Sequence, residues 1–291
     1  MKKLQKRSQQ TMNQDTTAVV GIVTAILLVG LIVTVFAILQ TVYVPEWMKE
    51  IEADHLNQAG TQFSQMKFAI DLQLFGSNDT ANLSISSPLT LGSSKIPFLF
   101  SERSSGTFKI YTNSSTFVFQ NATTTYTALL NGIEYQSKNT YFINQIYSYE
   151  AGAVIVSQEQ GNYISAAPFF SVTENTTDHM SFTLVNVSSV GGKTSATGYD
   201  TASIRTQYAY LDDQTMQLVN CTTITITTQY PYAWKNYVND TLALAGLTYS
   251  TDYSLSVSTD PSKLTILFST QNQMNITTKL INAQMSPGWI T

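Results

Sequence analysis

The chain of 291 residues is poor in the residue types that build reactive centres: it has one cysteine, Cys221, and two histidines, His55 and His179. A single thiol excludes an intrachain disulfide, and Cys221 is expected to pack as a small apolar residue. Two histidines are too few for a histidine-based metal centre, and neither His-Glu-x-x-His nor Cys-x-x-Cys occurs. There is no Gly-x-Ser-x-Gly elbow and no phosphate-cradling glycine loop. Asp178-His179 lacks a serine in a strained turn to complete a triad. Asp212-Asp213 reads as a hairpin turn before it reads as a calcium site. Charge is scarce as well. Charged residues make up 12% of the chain, about half the usual share of ~25%. The net charge is −4 and the lysines of the outer part are scattered, so no basic patch exists to hold nucleic acid. The expectation is a chain with no cofactor, no metal and no enzymatic activity.

What the sequence does have is one long apolar run. Ala18 to Val44 reads AVVGIVTAILLVGLIVTVFAILQTVYV, without a charge and with only threonines and Gln40 as polar members. A membrane-spanning helix needs about 20 such residues. Lys2, Lys3, Lys6 and Arg7 precede the run, and Glu46, Glu50, Glu52 and Asp54 follow it. The positive-inside bias then leaves the N-terminus in the cytoplasm and sends the rest outward. Tyr43 and Trp47 fall where an interfacial aromatic anchor belongs. A cleaved secretory signal would need a shorter apolar core and a small-x-small site; Val35-Phe36-Ala37 is a poor version of that site. Within the run, Gly21-x-x-x-Ala25 and Gly30-x-x-x-Thr34 are spacings that allow close helix contact.

Beyond the run, Pro45 predicts a kink or break, because proline has no backbone N–H and disfavours helix at the preceding residue. Helical periodicity then resumes. Leu56, Ala59, Phe63, Met66 and Ile70 follow a 3-4-3-4 spacing, which puts them on one face of a helix from about Glu46 to Leu74. That stripe packs either on the remainder of the chain or on other copies of itself; both need it.

From residue 78 onward, short β-like runs alternate with turn clusters. The runs are Thr107–Thr112, Ser115–Gln120, Tyr141–Tyr149, Val154–Ser157, Met180–Val187, Ile204–Tyr210, Met216–Thr228, Ser254–Ser258 and Leu264–Thr270. Gly132, Gly152, Gly161, Gly191-Gly192 and Asp260-Pro261 read as punctuation. One further helix is expected from about Tyr232 to Ala245, with Trp234, Tyr237, Val238, Leu242 and Ala245 sharing a face. The fold class is α+β: a long N-terminal transmembrane and amphipathic helix, then an antiparallel β-sandwich-like extracellular domain. The expected boundaries are 1–17 for a basic cytoplasmic segment, 18–44 for the membrane helix, 45–75 for the amphipathic stalk and 76–291 for the outer domain.

Asn-x-Ser/Thr sequons follow the apolar run at Asn78, Asn82, Asn113, Asn121, Asn175, Asn186, Asn220, Asn239 and Asn275. All stand on the side where a glycosylation machinery would meet them. Asn220 is set apart, because it alternates in phase with Leu218, Ile224 and Ile226 and an unbroken strand would turn it inward. The other eight are the glycosylation candidates.

Two interior stretches carry a resemblance. Tyr149-Glu150-Ala151-Gly152-Ala153-Val154-Ile155 resembles the Tyr-Glu-x-Gly-Ala-Val strand of uncharacterised archaeal pilin-like proteins. Thr227-Thr228-Gln229-Tyr230-Pro231-Tyr232-Ala233-Trp234 resembles their strand-to-helix Tyr-x-x-Ala-Trp segment. With the order of basic N-terminus, apolar helix, amphipathic helix and Thr/Asn-rich β domain, the chain resembles archaeal type IV pilin-like and archaellin-like surface proteins. The resemblance implies a single-pass, glycosylated cell-surface protein whose partners are membrane lipid and, through the N-terminal helix, copies of itself or other pilin-like subunits. Pilin precursors are cut after a small residue just before the apolar helix, and Ser8–Asp15 departs from that pattern. The other reading is a monomeric membrane-tethered module binding a ligand, a glycan or a surface-layer partner.

Overall fold

Helical hydrogen bonding dominates residues 2–75. The computed structural model describes residues 2–75, 83–94, 103–173, 178–209, 213–269 and 272–286, without the side chains of residues 2–19, Asp178 and Ser286. The chain divides into two units, 1–50 and 51–291. In the first, α1 (Lys2–Ile38) passes through a π-helical stretch (Leu39–Tyr43) into α2 (Val44–Phe75). The break expected at Pro45 does not occur. The Val44 N–H bonds to the Leu39 carbonyl, five residues back, and this wider turn gives room to a ring that would crowd an α-helical carbonyl. Thr24, Thr34 and Thr41 donate their hydroxyls to the carbonyls of Val20, Gly30 and Ala37 at 2.7–2.8 Å. The threonines of the apolar run thereby satisfy themselves within the helix. Among the described residues, one helix is long and apolar enough to cross a membrane, and its most apolar window is not buried in the protein.

The second unit holds the end of α2 and the β-rich domain. Its elements are β1 (Ser84–Thr90), β2 (Ser105–Gln120), β3 (Thr125–Lys138), β4 (Ile146–Glu150), β5 (Ala153–Gln158), β6 (Gly161–Ala166), β7 (Phe169–Thr173) and β8 (Asp178–Ser189). There follow β9 (Ser195–Gly198), β10 (Thr201–Tyr208), β11 (Gln214–Val219), β12 (Thr223–Thr228), α3 (Pro231–Leu244), β13 (Tyr253–Thr259), β14 (Ser262–Phe268) and β15 (Asn272–Ser286). They form two sheets. One has six strands, ordered β1-β10-β15-β8-β7 with β11 also on β15; the other has nine, ordered β13-β14-β12-β2-β3-β4-β5-β6 with β9 on β2. Pairing is antiparallel except between β15 and β8, which run parallel over Asn272–Ala283 and Asp178–Ser189.

Several boundaries differ from the sequence reading. Thr107–Thr112 and Ser115–Gln120 are one strand, β2, with a register shift between Tyr111 and Ser115. Met216–Thr228 is two strands, because Asn220 takes a left-handed φ of 55° and ends β11. Tyr149–Ile155, which resembles a pilin-like strand, is a hairpin here, with the turn at the Gly152 punctuation: Ala151 (φ 53°) and Gly152 (φ 92°) turn β4 back into β5, the left-handed pair such a two-residue turn requires. Asn131-Gly132, a turn signal by composition, lies inside β3. A Cβ at Gly132 would sit 2.7 Å from the Tyr149 carbonyl and 3.0 Å from the Ser114 side chain, so glycine here serves close approach beside the irregularity in β2.

Both faces of the strands are used. In β5, Ala153 and Ile155 enter one apolar cluster while Val154 and Val156 enter a second, as alternation along a strand demands. The first cluster joins Phe117, Phe119, Phe182 and Ile226 to Trp234, Val238 and Leu242 of α3. The second joins Phe108, Tyr135, Tyr147 and Ile204 to the stripe of α2, with Leu56, Ala59, Phe63, Met66 and Ile70 all buried. Large side chains buried this way each contribute about 1.5–3 kcal/mol.

Candidate functional site

Three polar loci stand out in the second unit, and each begins from a side chain that the fold buries. The first is Glu150, the last residue of β4, which is fully buried. Its Oε1 accepts from the Trp234 indole N–H at 2.8 Å and from the Thr228 hydroxyl at 2.7 Å. Thr228 Oγ1 in turn accepts from the Tyr230 N–H at 3.1 Å. The two stretches that carried the sequence resemblance therefore meet in one hydrogen-bonded joint. Oε2 has no partner among the described residues. Burial pushes the Glu150 carboxyl up to about 7, against the pull of its two donors. Nearby, Tyr111 and Ser148 share a hydrogen bond at 3.1 Å, and Glu134 pairs with Lys109 at 2.8 Å. The α3 helix that delivers Trp234 begins with Pro231, and its Ala233 N–H is capped from β6 by Asn162 Oδ1 at 2.9 Å. A tertiary cap thus stands where the preceding residue, Tyr230, supplies none.

The second locus is Glu52 on α2, also fully buried. Its carboxylate accepts three consecutive backbone N–H groups, from Thr140 at 3.0 Å, Tyr141 at 2.8 Å and Phe142 at 2.7 Å. Successive N–H groups curled about an anion form a nest, and here the protein's own carboxylate fills it. Glu52 is thus packed against the domain although it stands outside the Leu56–Ile70 stripe. Other polar residues of α2 act likewise: Gln62 bonds Thr90 of β1, and Gln73 donates to the Thr206 carbonyl at 2.8 Å.

The third locus is a cleft of about 430 Å³ whose walls include Asp54, His55, Gln58, Arg103, Tyr199 and Asp200. His55 Nε2 lies 3.0 Å from the Thr90 carbonyl, so Nε2 carries the proton and donates. Burial lowers the His55 pKa, opposed by that hydrogen bond and by the charge of Glu52. The guanidinium of Arg103 lies 4.1 Å from the Tyr199 ring centre, within cation–π range. No group of three or more His, Cys, Asp or Glu side chains suited to a metal occurs among the described residues.

The structure separates the other sequence candidates. His179 is exposed at the start of β8; the Asp178 side chain and Asp212 lie outside the described set. Cys221 is buried, and burial pushes its thiol up to about 11. Asn78, Asn82 and Asn175 fall outside the described residues. Asn113 is exposed at the irregularity in β2, with a left-handed φ of 54°. Asn121 closes a turn, its Oδ1 accepting from Thr123 and Thr124 and its Nδ2 donating to the Val219 carbonyl at 3.0 Å. Asn186 Oδ1 accepts from the Asn131 N–H at 2.9 Å, and Asn239 Oδ1 lies 3.1 Å from the Tyr253 hydroxyl. Asn275 sits within β15 with its Oδ1 buried. Asn220 is exposed. The inward orientation expected for it fails because the strand ends one residue earlier.

Sequence reasoning did not single out Glu52 or Glu150. The one signal for Glu150 was a lone acid between apolar runs, since an acid at such a position is buried only with partners. No curated protein and no solved structure matches the chain. A family of unknown function, DUF7289, matches residues 17–275, which takes in the apolar helix and most of the β-rich domain together. The chain belongs to that family.

Proposed function

We propose that this chain is a non-enzymatic, membrane-anchored cell-surface protein of the archaeal pilin-like kind. Its apolar N-terminal helix crosses the cell membrane once, with the basic N-terminus in the cytoplasm. The two sheets pack as a sandwich-like, glycosylated domain on the outside, and the chain enters a surface filament or its base as a minor subunit. The observation that carries the reading is the helix itself. Its large side chains stand in the open, Leu27 at 68% exposed and Ile26 at 65%, and water is a poor solvent for such a surface. Lipid accommodates it, and so do the helices of other subunits. Mass spectrometry of sheared, purified surface filaments tests the filament part: peptides of this chain are expected there at low stoichiometry. Recovery from membranes alone would remove it.

A second reading, a monomeric membrane-tethered module for a ligand, glycan or surface-layer partner, is favoured by the cleft that pairs Tyr199 with Arg103. Rigid aromatics with one polar end are common contact residues. Soluble saccharides that shift the protein's melting temperature, and cease to do so in Tyr199→Ala, would select it.

A further inference from the structure

We propose that Asn220 is an N-glycosylation site, although strand alternation in the sequence argues against it. The inference rests on the outward placement of the β-rich domain in the preceding reading. Attachment to a folded domain needs two side chains presented together, the asparagine amide and the hydroxyl two residues on. Among the described sequons, Asn220 meets that need best. Asn220 and Thr222 are both exposed and Cys221 between them is buried, so both side chains of the sequon are open to solvent.

Apart from the Thr222 hydroxyl, the turn is held by backbone groups and by the Asn272 side chain. Asn220 N–H donates to the Asn272 carbonyl at 2.7 Å, Cys221 N–H to Asn272 Oδ1 at 2.9 Å, and Asn272 Nδ2 to the Cys221 carbonyl at 2.7 Å. Thr222 is tied to the Gln120 carbonyl through its N–H at 2.8 Å and its hydroxyl at 3.2 Å. The Asn220 amide makes no hydrogen bond among the described residues, so modifying it breaks nothing. Its left-handed backbone, φ 55°, projects it from a turn and not from a ladder.

The remaining described sequons each fail one requirement. Ser115, the hydroxyl partner of Asn113, is buried. Asn121 uses both ends of its amide to close its turn. Asn186, Asn239 and Asn275 are half-buried within β8, α3 and β15. Transfer would join Nδ2 of Asn220 to the anomeric carbon of a lipid-phosphate-linked saccharide. The amide nitrogen loses one proton, the carbon–oxygen bond to phosphate breaks, and the lipid phosphate leaves with the electron pair.

The test is peptide mapping by tandem mass spectrometry of the full-length protein purified from its own cell membranes, beside protease shaving of intact cells. The expected result is a saccharide on the Asn220 peptide in most copies. Asn220→Gln and Thr222→Val should each lower the intact mass by that same saccharide, the second while leaving the asparagine in place. An unmodified Asn220 peptide from a domain that proteases reach on intact cells overturns the inference and leaves the surface reading standing. A domain that proteases cannot reach overturns both.

Discussion

The indole N–H of Trp234 donates to Glu150 at 2.8 Å, across 84 residues of sequence, and so ties the start of α3 to the β4–β5 hairpin. Both residues are fully buried. The bond is made in an apolar surrounding of Phe117 and Phe182, whose ring centres lie 5.3 and 6.3 Å from that of Trp234. Low polarity strengthens a satisfied hydrogen bond and penalises an unsatisfied one.

Glu150 therefore sets a pH dependence with a definite sign. An unfolded glutamate ionises near its ordinary value of 4.5, while the folded one holds its proton to about 7. Between those values the native state binds more protons than the unfolded state, so stability falls as pH rises through the window. At about 1.4 kcal/mol per pH unit the loss is about 3 kcal/mol. Urea melts of the full chain in detergent should show this decline from pH 4.5 to 7. Glu150→Gln should flatten it, and Glu150→Ala should flatten it too while costing about 2 kcal/mol at the acid end, near pH 4.5, by orphaning the Trp234 and Thr228 donors.

Glu52 makes a separate prediction. Glu52→Ala removes the acceptor of three successive N–H groups, at a cost of about 1–3 kcal/mol. Amide hydrogen exchange at Thr140, Tyr141 and Phe142 should accelerate well before the rest of the sheet does.

The two faces of α2 should respond differently to truncation. Phe63 is fully buried, with Phe108 and Tyr147 ring centres 6.4 and 5.9 Å away. Phe63→Ala should lower stability by about 3–5 kcal/mol. Phe68, 68% exposed on the same helix, should change it by less than about 0.5 kcal/mol. Equal effects in chemical melts would contradict the packing described.

The helices were legible in the sequence and the sheets only in part. The stripe from Leu56 to Ile70 keeps one period, and Pro231 opens α3 where a missing N–H is tolerated. β15 escaped because its apolar positions change phase: Met274 and Ile276 serve the first cluster, Ile281, Ala283 and Met285 the second. No single alternation marks such a strand. β3 was obscured by Asn131-Gly132, whose glycine answers a crowding that only the folded neighbours create. Pro45 misled in the opposite sense, because a π-helical turn absorbs it. Glu52 and Glu150 find their partners 78 to 90 residues away, and no local window contains such a pairing. The inward orientation of Asn220 was expected for one reason: an apolar rhythm on both sides of a turn looks like a strand.

The central claim is that the helix after the basic N-terminus lies in lipid, and alkaline carbonate extraction of native membranes tests it most directly. An integral helix stays in the membrane pellet through the wash, and the full-length chain should be recovered there. Its release into the carbonate supernatant would contradict the account.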